Sequence, residues 1–147
     1  MEINFLEQQQ QIKDYIESHY PVVLEEMGLP NIGAYIDDFL DLDKYQKSKQ
    51  LFYNFGTYNY DHLTNESENE VVTLNIYLTF QKAKPSELIT QMKQYTAAFI
   101  EMFKRSGNNF EGLVDIGIYE NVYFYLAAEG STDVKIADIQ LRLTSER

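Results

Sequence analysis

Nine consecutive residues, Val72-Thr73-Leu74-Asn75-Ile76-Tyr77-Leu78-Thr79-Phe80, carry a large hydrophobe at every even position and a polar or tyrosine side chain at nearly every odd one. Successive side chains of an extended chain point to opposite sides, so this run makes a strand with one apolar face and one polar face. A second alternating stretch lies further on. There Ile116, Ile118, Val122, Phe124, Leu126 and Ala128 share one parity, and Tyr119, Tyr123 and Tyr125 share the other. The segment between the two has a helical period instead, with Leu88, Met92, Tyr95, Phe99 and Met102 or Phe103 on one side. Pro85 suits its first turn, Glu87 sits in that turn, Lys104 and Arg105 sit in the last, and Gly107 follows as a stop. An apolar helix stripe and an apolar strand face of this kind are complementary. The pattern predicts a sheet covered by helices on one side.

The remaining segments extend the same plan. Phe5, Ile12 and Ile16, joined by Leu6 and Tyr15, recur at helical steps over residues 2–18, and Pro21 is expected to interrupt that helix. Ile32, Tyr35, Ile36, Phe39 and Leu40 fall on one helical face behind Asn31, an acceptable cap, so a short acidic helix is expected there. Residues 51–60 have the aromatic content of a strand. The hydrophilic residues 61–70 read as the loop of a hairpin leading into residues 71–80. A turn at 130–133 precedes a closing strand over 134–144. Its parity slips from Val134 and Ile136 to Ile139, Leu141 and Leu143, which predicts a bulge near Ala137 or Asp138.

The expected fold is therefore α+β: an antiparallel sheet of four to five strands with helices on one face, in the order α-(α)-β-β-α-β-(β)-β. All 147 residues form one domain in this reading, with an N-terminal helical segment at 1–43, a strand pair at 51–80, a long helix at 85–106 and C-terminal strands at 114–144.

Charge and composition restrict function. The formal net charge is −11, from 23 acids against 12 bases. Between residues 14 and 43 stand Asp14, Glu17, Glu25, Glu26, Asp37, Asp38, Asp41 and Asp43, with no Lys or Arg among them. Phosphate repulsion opposes nucleic-acid binding there, and no sequence-specific nucleic-acid partner is expected. Such a run is either a solvated acidic face or a steering surface for a basic partner. The chain has no cysteine, which removes thiolate chemistry and disulfides. The N-terminus has neither the basic nor the apolar region of a secretory signal, and no segment approaches a membrane span, so no membrane association is expected.

Catalytic constellations are not apparent. The two histidines, His19 and His62, have no serine motif to serve. Asp37, Asp38, Asp41 and Asp43 are a dense carboxylate cluster, and Asp37 and Asp41 would share a helix face, but the glycine and closing glutamate of a calcium loop are missing. No glycine-rich phosphate loop occurs. The expectation is a protein that is not an enzyme, with no cofactor and no metal.

Tyrosines stand out instead. Tyr58, Tyr60, Tyr77, Tyr119, Tyr123 and Tyr125 are expected on the sheet face away from the helices, interleaved with Thr73, Asn75, Thr79 and Asn121. They serve either as cross-strand pairs that stabilise an open face or as an interface, since tyrosine offers rigid contact area with a polar tip.

Residues 71–80 running into the 85–105 helix, with its Tyr95-Thr96-Ala97-Ala98-Phe99 centre, and the final strand Ile136-Ala137-Asp138-Ile139-Gln140-Leu141-Arg142-Leu143 give a layout that resembles the tail terminator and tail completion proteins of long-tailed bacteriophages. The resemblance covers most of the chain and is one of element order. It implies a virion structural protein, assembled in the bacterial cytoplasm, that forms a homo-oligomeric ring, usually a hexamer. Such a ring caps the phage tail tube and joins it to the head-side connector, with no enzymatic step. Two other classes stand beside it: an acidic inhibitor or immunity-type protein that binds a basic partner, and a small enzyme with a cavity between helices and sheet.

Overall fold

The computed structural model describes residues 5–62, 68–125 and 134–146. Among these residues two helices and five strands follow one another as α1 (Phe5–Glu26), β1 (Ala34–Ile36), β2 (Lys49–His62), β3 (Glu68–Phe80), α2 (Pro85–Arg105), β4 (Ile116–Tyr125) and β5 (Lys135–Glu146). The strands form a single sheet in the order β1-β2-β3-β5-β4. The α+β class expected from the pattern is present. The sheet is mixed, however, and not antiparallel throughout, because β1 runs parallel to β2, with Tyr35 opposite Leu51.

Strand β1 replaces the short acidic helix anticipated around residues 32–40. Ile32 and Ile36 are buried as a helical stripe would require, but Phe39 is 88% exposed. Five apolar positions fit a short strand as well as a helix, and pairing with the edge of β2 decides between them. The bond from the Gly33 amide to the Lys49 carbonyl, at 2.9 Å, starts that pairing.

Helix α1 also departs from expectation, since it runs through Pro21 to Glu26. Proline removes one backbone donor, but Tyr20, Val23 and Leu24 on either side of it are buried in the core and hold the helix together across the gap. The helix stops where Gly28 takes a φ of +72° and the Leu29 amide returns to the Leu24 carbonyl at 2.8 Å. Helix α2 matches its sequence pattern. Lys84 is the extended cap residue, Pro85 opens the first turn and Ser106 closes the last.

The core lies between these helices and one sheet face. Leu74, Ile76, Leu78 and Phe80 of β3 and Ala137, Ile139, Leu141 and Leu143 of β5 are buried there with Leu88, Met92, Tyr95, Phe99 and Phe103 of α2 and Ile12, Ile16 and Tyr20 of α1. Strand β5 pairs with β3 in unbroken register from Lys135 opposite Phe80 to Glu146 opposite Asn69. The bulge anticipated near Ala137 is therefore absent: Ile136 simply faces away from the helices. The irregularities fall elsewhere, between Phe55 and Tyr58 in β2 and between Tyr119 and Asn121 in β4. The β2–β3 hairpin is also longer than anticipated, for its strands reach His62 and Glu68 and leave 63–67 outside the described residues. The expected turn at 130–133, with Leu126 and Ala128, lies outside them as well.

Candidate interaction surface

The sheet face opposite the helices is built from cross-strand rows. Register places Val71, Thr144 and Ile116 in one row and Thr73, Arg142 and Ile118 in the next. Asn75, Gln140 and Asn121 follow, then Tyr77, Asp138 and Tyr123, then Thr79, Ile136 and Tyr125. The bulge in β4 is what places Ile116 and Ile118 on the same side as Tyr123 and Tyr125. An extra residue at Glu120 inverts the alternation, so residues of even number before it share a face with residues of odd number after it. The parity read from sequence had put both isoleucines in the core. They are instead 57% and 50% exposed, and Tyr123 and Tyr125 are 45% and 51% exposed.

The six candidate tyrosines divide. Tyr77, Tyr123 and Tyr125 occupy the face away from the helices, and the Tyr123 and Tyr125 rings lie 6.2 Å apart. Tyr58 and Tyr119 do not, which corrects the expectation of a six-tyrosine face. Tyr58 sits beyond the β2 irregularity, opposite Val72, where its hydroxyl accepts a 2.8 Å bond from Gln9 Nε2 of α1 and its ring meets Phe5. Tyr119 packs against Phe103 and donates to the Ile100 carbonyl at 3.1 Å, and burial pushes its phenol up to about 12. Tyr60 pairs with Glu70 in the backbone register, and its side chain lies outside the described residues. Each displaced tyrosine stands just before or after a bulge that reverses its strand's parity.

Part of the face is not open at all. The connection 37–48 between β1 and β2 crosses it: Tyr45 lies edge-on to Phe52, and Gln50 Nε2 reaches both the Tyr45 carbonyl and Thr79 Oγ1 at 3.1 Å. Phe52, Gln50 and Thr79 are buried as a result. This connection holds the whole Asp37, Asp38, Asp41 and Asp43 cluster and is not helical, so Asp37 and Asp41 share no helix face. Asp37 pairs with Lys13 at 2.6 Å, and Asp41 Oδ1 accepts the amides of Asp43 and Lys44. Asp38 accepts from Tyr45, the Phe39 amide and Lys44, and these bonds lower its pKa to about 2. Asp37, Asp38 and Asp41 are occupied in holding the connection's shape. No group of three metal-ligating side chains occurs among the described residues.

A shallow groove of about 590 Å³ runs from this connection past the stretch of β2 that follows its pairing with β1 to Tyr77, lined by Phe39, Leu40, Asn54 and Phe55 among others. It contains no histidine. His19 stacks on Tyr15 and bonds its carbonyl at 2.9 Å, while the His62 side chain lies outside the described residues.

Between Tyr77 and Tyr123 lies a residue that the sequence pattern offered only as a possible bulge position, Asp138. Asp138 is only 3% exposed. Its Oδ2 accepts from Gln140 Nε2 at 3.1 Å, and its Oδ1 has no hydrogen-bond partner. Burial raises its pKa against the lowering effect of the Gln140 bond. Tyr125 is raised too, by burial first and then by the nearby Asp138, Tyr123 and Tyr77. An acidic residue set between the core positions Ala137 and Ile139 of the closing strand was the available signal, but only register shows that tyrosines flank it. No protein-family model matches the chain, and no curated protein is recovered as a relative.

Proposed function

We propose that this chain is a structural protein that assembles through its β4 edge, in the role of a phage tail terminator that closes the tail tube and joins it to the head connector. The observation that carries the assembly is the composition of β4. Among the described residues it is the last strand of the sheet, ten residues long, with Glu120 at its bulge as its only charge and neither lysine nor proline to block pairing on either side of that bulge. Half-exposed Ile116 and Ile118 continue its apolar surface onto the uncovered face. Edges of this kind favour a neighbouring chain, and a head-to-tail contact that closes makes a ring. The tail role follows the resemblance in element order, and the virion tail, assembled in the cytoplasm, is the corresponding location. Other tail or connector proteins are then partners beside the chain itself.

Light scattering coupled to size exclusion, over a range of concentrations, tests this reading. A closed oligomer near six subunits supports it. A strict monomer overturns self-assembly of the free protein.

The net charge of −11 and the buried carboxylate at Asp138 favour a second reading, an acidic inhibitor or immunity-type protein for a basic partner. Under it, the tyrosine rows and not the β4 edge carry the contact.

A further inference from the structure

We propose that Asp138, framed by Tyr77, Tyr123 and Tyr125, is a socket for an arginine side chain presented by a basic partner protein. The inference rests on reading the uncovered face as a contact surface, and it does not depend on the ring.

Hydrogen-bond accounting on this face leaves acceptors over. Asn121 Nδ2 donates to Gln140 Oε1 at 3.2 Å, Gln140 Nε2 donates to Asp138 Oδ2, and Asn75 Nδ2 turns to the Tyr77 hydroxyl at 3.4 Å. Each amide has spent a donor on a neighbour. Asp138 Oδ1 and Asn75 Oδ1, on adjacent rows, are buried and have no partner. An acceptor kept from water without a donor is unfavourable, and an ionised one more so. Solvent reaches neither oxygen, so a ligand rich in N–H groups relieves them by moving the flanking side chains aside.

Three further features select a guanidinium. Its planar fork offers several donors at once and suits acceptors on neighbouring rows. The ring faces of Tyr123 and Tyr125, which stand about half exposed beside the carboxylate, attract a cation through their quadrupoles. Arg142, a base of β5 on this face, is turned toward Glu120, 3.9 Å away, and Lys44 of the connection is held by Asp38. The partner's charge follows from this chain's: with 23 acids against 12 bases, a basic protein is drawn to this carboxylate.

N-acetyl-argininamide is the probe, titrated into the intact chain while amide NMR spectra are recorded, with the uncharged isostere N-acetyl-citrullinamide as control. The expected result is a saturable shift of the Tyr77, Tyr123, Tyr125 and Asp138 resonances, with a dissociation constant on the order of millimolar. Citrullinamide should leave them in place, and Asp138→Asn, which keeps the contact with Gln140, should weaken binding about tenfold or more. A melting curve establishes that the variant is folded. Absence of shifts, equal shifts with citrullinamide, or unchanged affinity in Asp138→Asn would overturn the socket. If the same resonances move with chain concentration alone and Asp138→Asn lowers the particle mass, a second copy occupies the site and the basic partner is overturned. An intact ring with no probe binding removes this inference and leaves the assembly reading standing.

Discussion

The Tyr20 hydroxyl of α1 donates to the Tyr95 carbonyl of α2 at 2.7 Å, and the Tyr95 hydroxyl donates in turn to the Pro30 carbonyl at 2.6 Å. The two phenols pin the helices to each other and to the chain that leaves α1 for β1. Both are pushed above their ordinary pKa by burial, Tyr95 to about 12. Tyr20→Phe should lower stability by roughly 0.5–1.5 kcal/mol, since a helix carbonyl keeps its own backbone bond when the phenol is lost. Tyr20→Ala should remove about 3–5 kcal/mol by opening a cavity against Phe99. Urea denaturation of the two variants checks both figures.

Leu74 and Phe99 face each other's layer at zero exposure. Leu74→Ala should destabilise by about 2–5 kcal/mol and Phe99→Ala by about 3–5 kcal/mol. Chemical denaturation that gave only a few tenths for either would mean that the helix-facing side has been inverted.

Gly117 shows how closely the turn after α2 approaches β4. A Cβ there would overlap the Asn108 carbonyl oxygen and the Phe103 ring. Backbone cannot swing aside as a flexible side chain can, so Gly117→Ala should cost about 1–3 kcal/mol. The melting temperature should fall accordingly, whereas Gly56→Ala, with the nearest atom at an ordinary 3.6 Å, should avoid such a clash.

Asp38 supplies a pH test. Its folded pKa, about 2, lies below the ordinary carboxylate value, first because of the Tyr45 hydroxyl. The folded state therefore holds this proton more weakly than the unfolded state. The stabilisation is present above pH 4 and is lost as pH falls toward 2. Carbon-detected NMR titration of Tyr45→Phe should show the Asp38 midpoint moving upward; an unmoved midpoint would remove Tyr45 as the main cause.

Tyr119 and Tyr123 stand four residues apart on opposite faces, and their variants should behave differently. Tyr119→Ala should lower the melting temperature, because the ring packs on Phe103 and the hydroxyl holds the Ile100 carbonyl. Tyr123→Glu should leave melting nearly unchanged and weaken self-association, as read by light scattering, or partner binding, as read by the N-acetyl-argininamide titration. Stable assembly in Tyr123→Glu would remove that tyrosine from the contact.

What the sequence by itself determined is the strand at 72–80, helix α2 with its ends, and the apolar layer between them. Those follow from local periodicity sustained over many residues, and each residue's face is set by its own neighbours in the chain. Only the tertiary structure decided the parallel strand β1, the passage of α1 through Pro21, and the faces of Tyr58, Tyr119, Ile116 and Ile118. Each of these depends on a partner distant in sequence. The β2 edge chooses the form of residues 34–36, core packing outweighs one missing amide at Pro21, and one extra residue in β4 reverses the parity of everything before it. Asp138 belongs with this second group, because its burial and its unpartnered oxygen come from β3 and β4 laid on either side, and no local pattern records them.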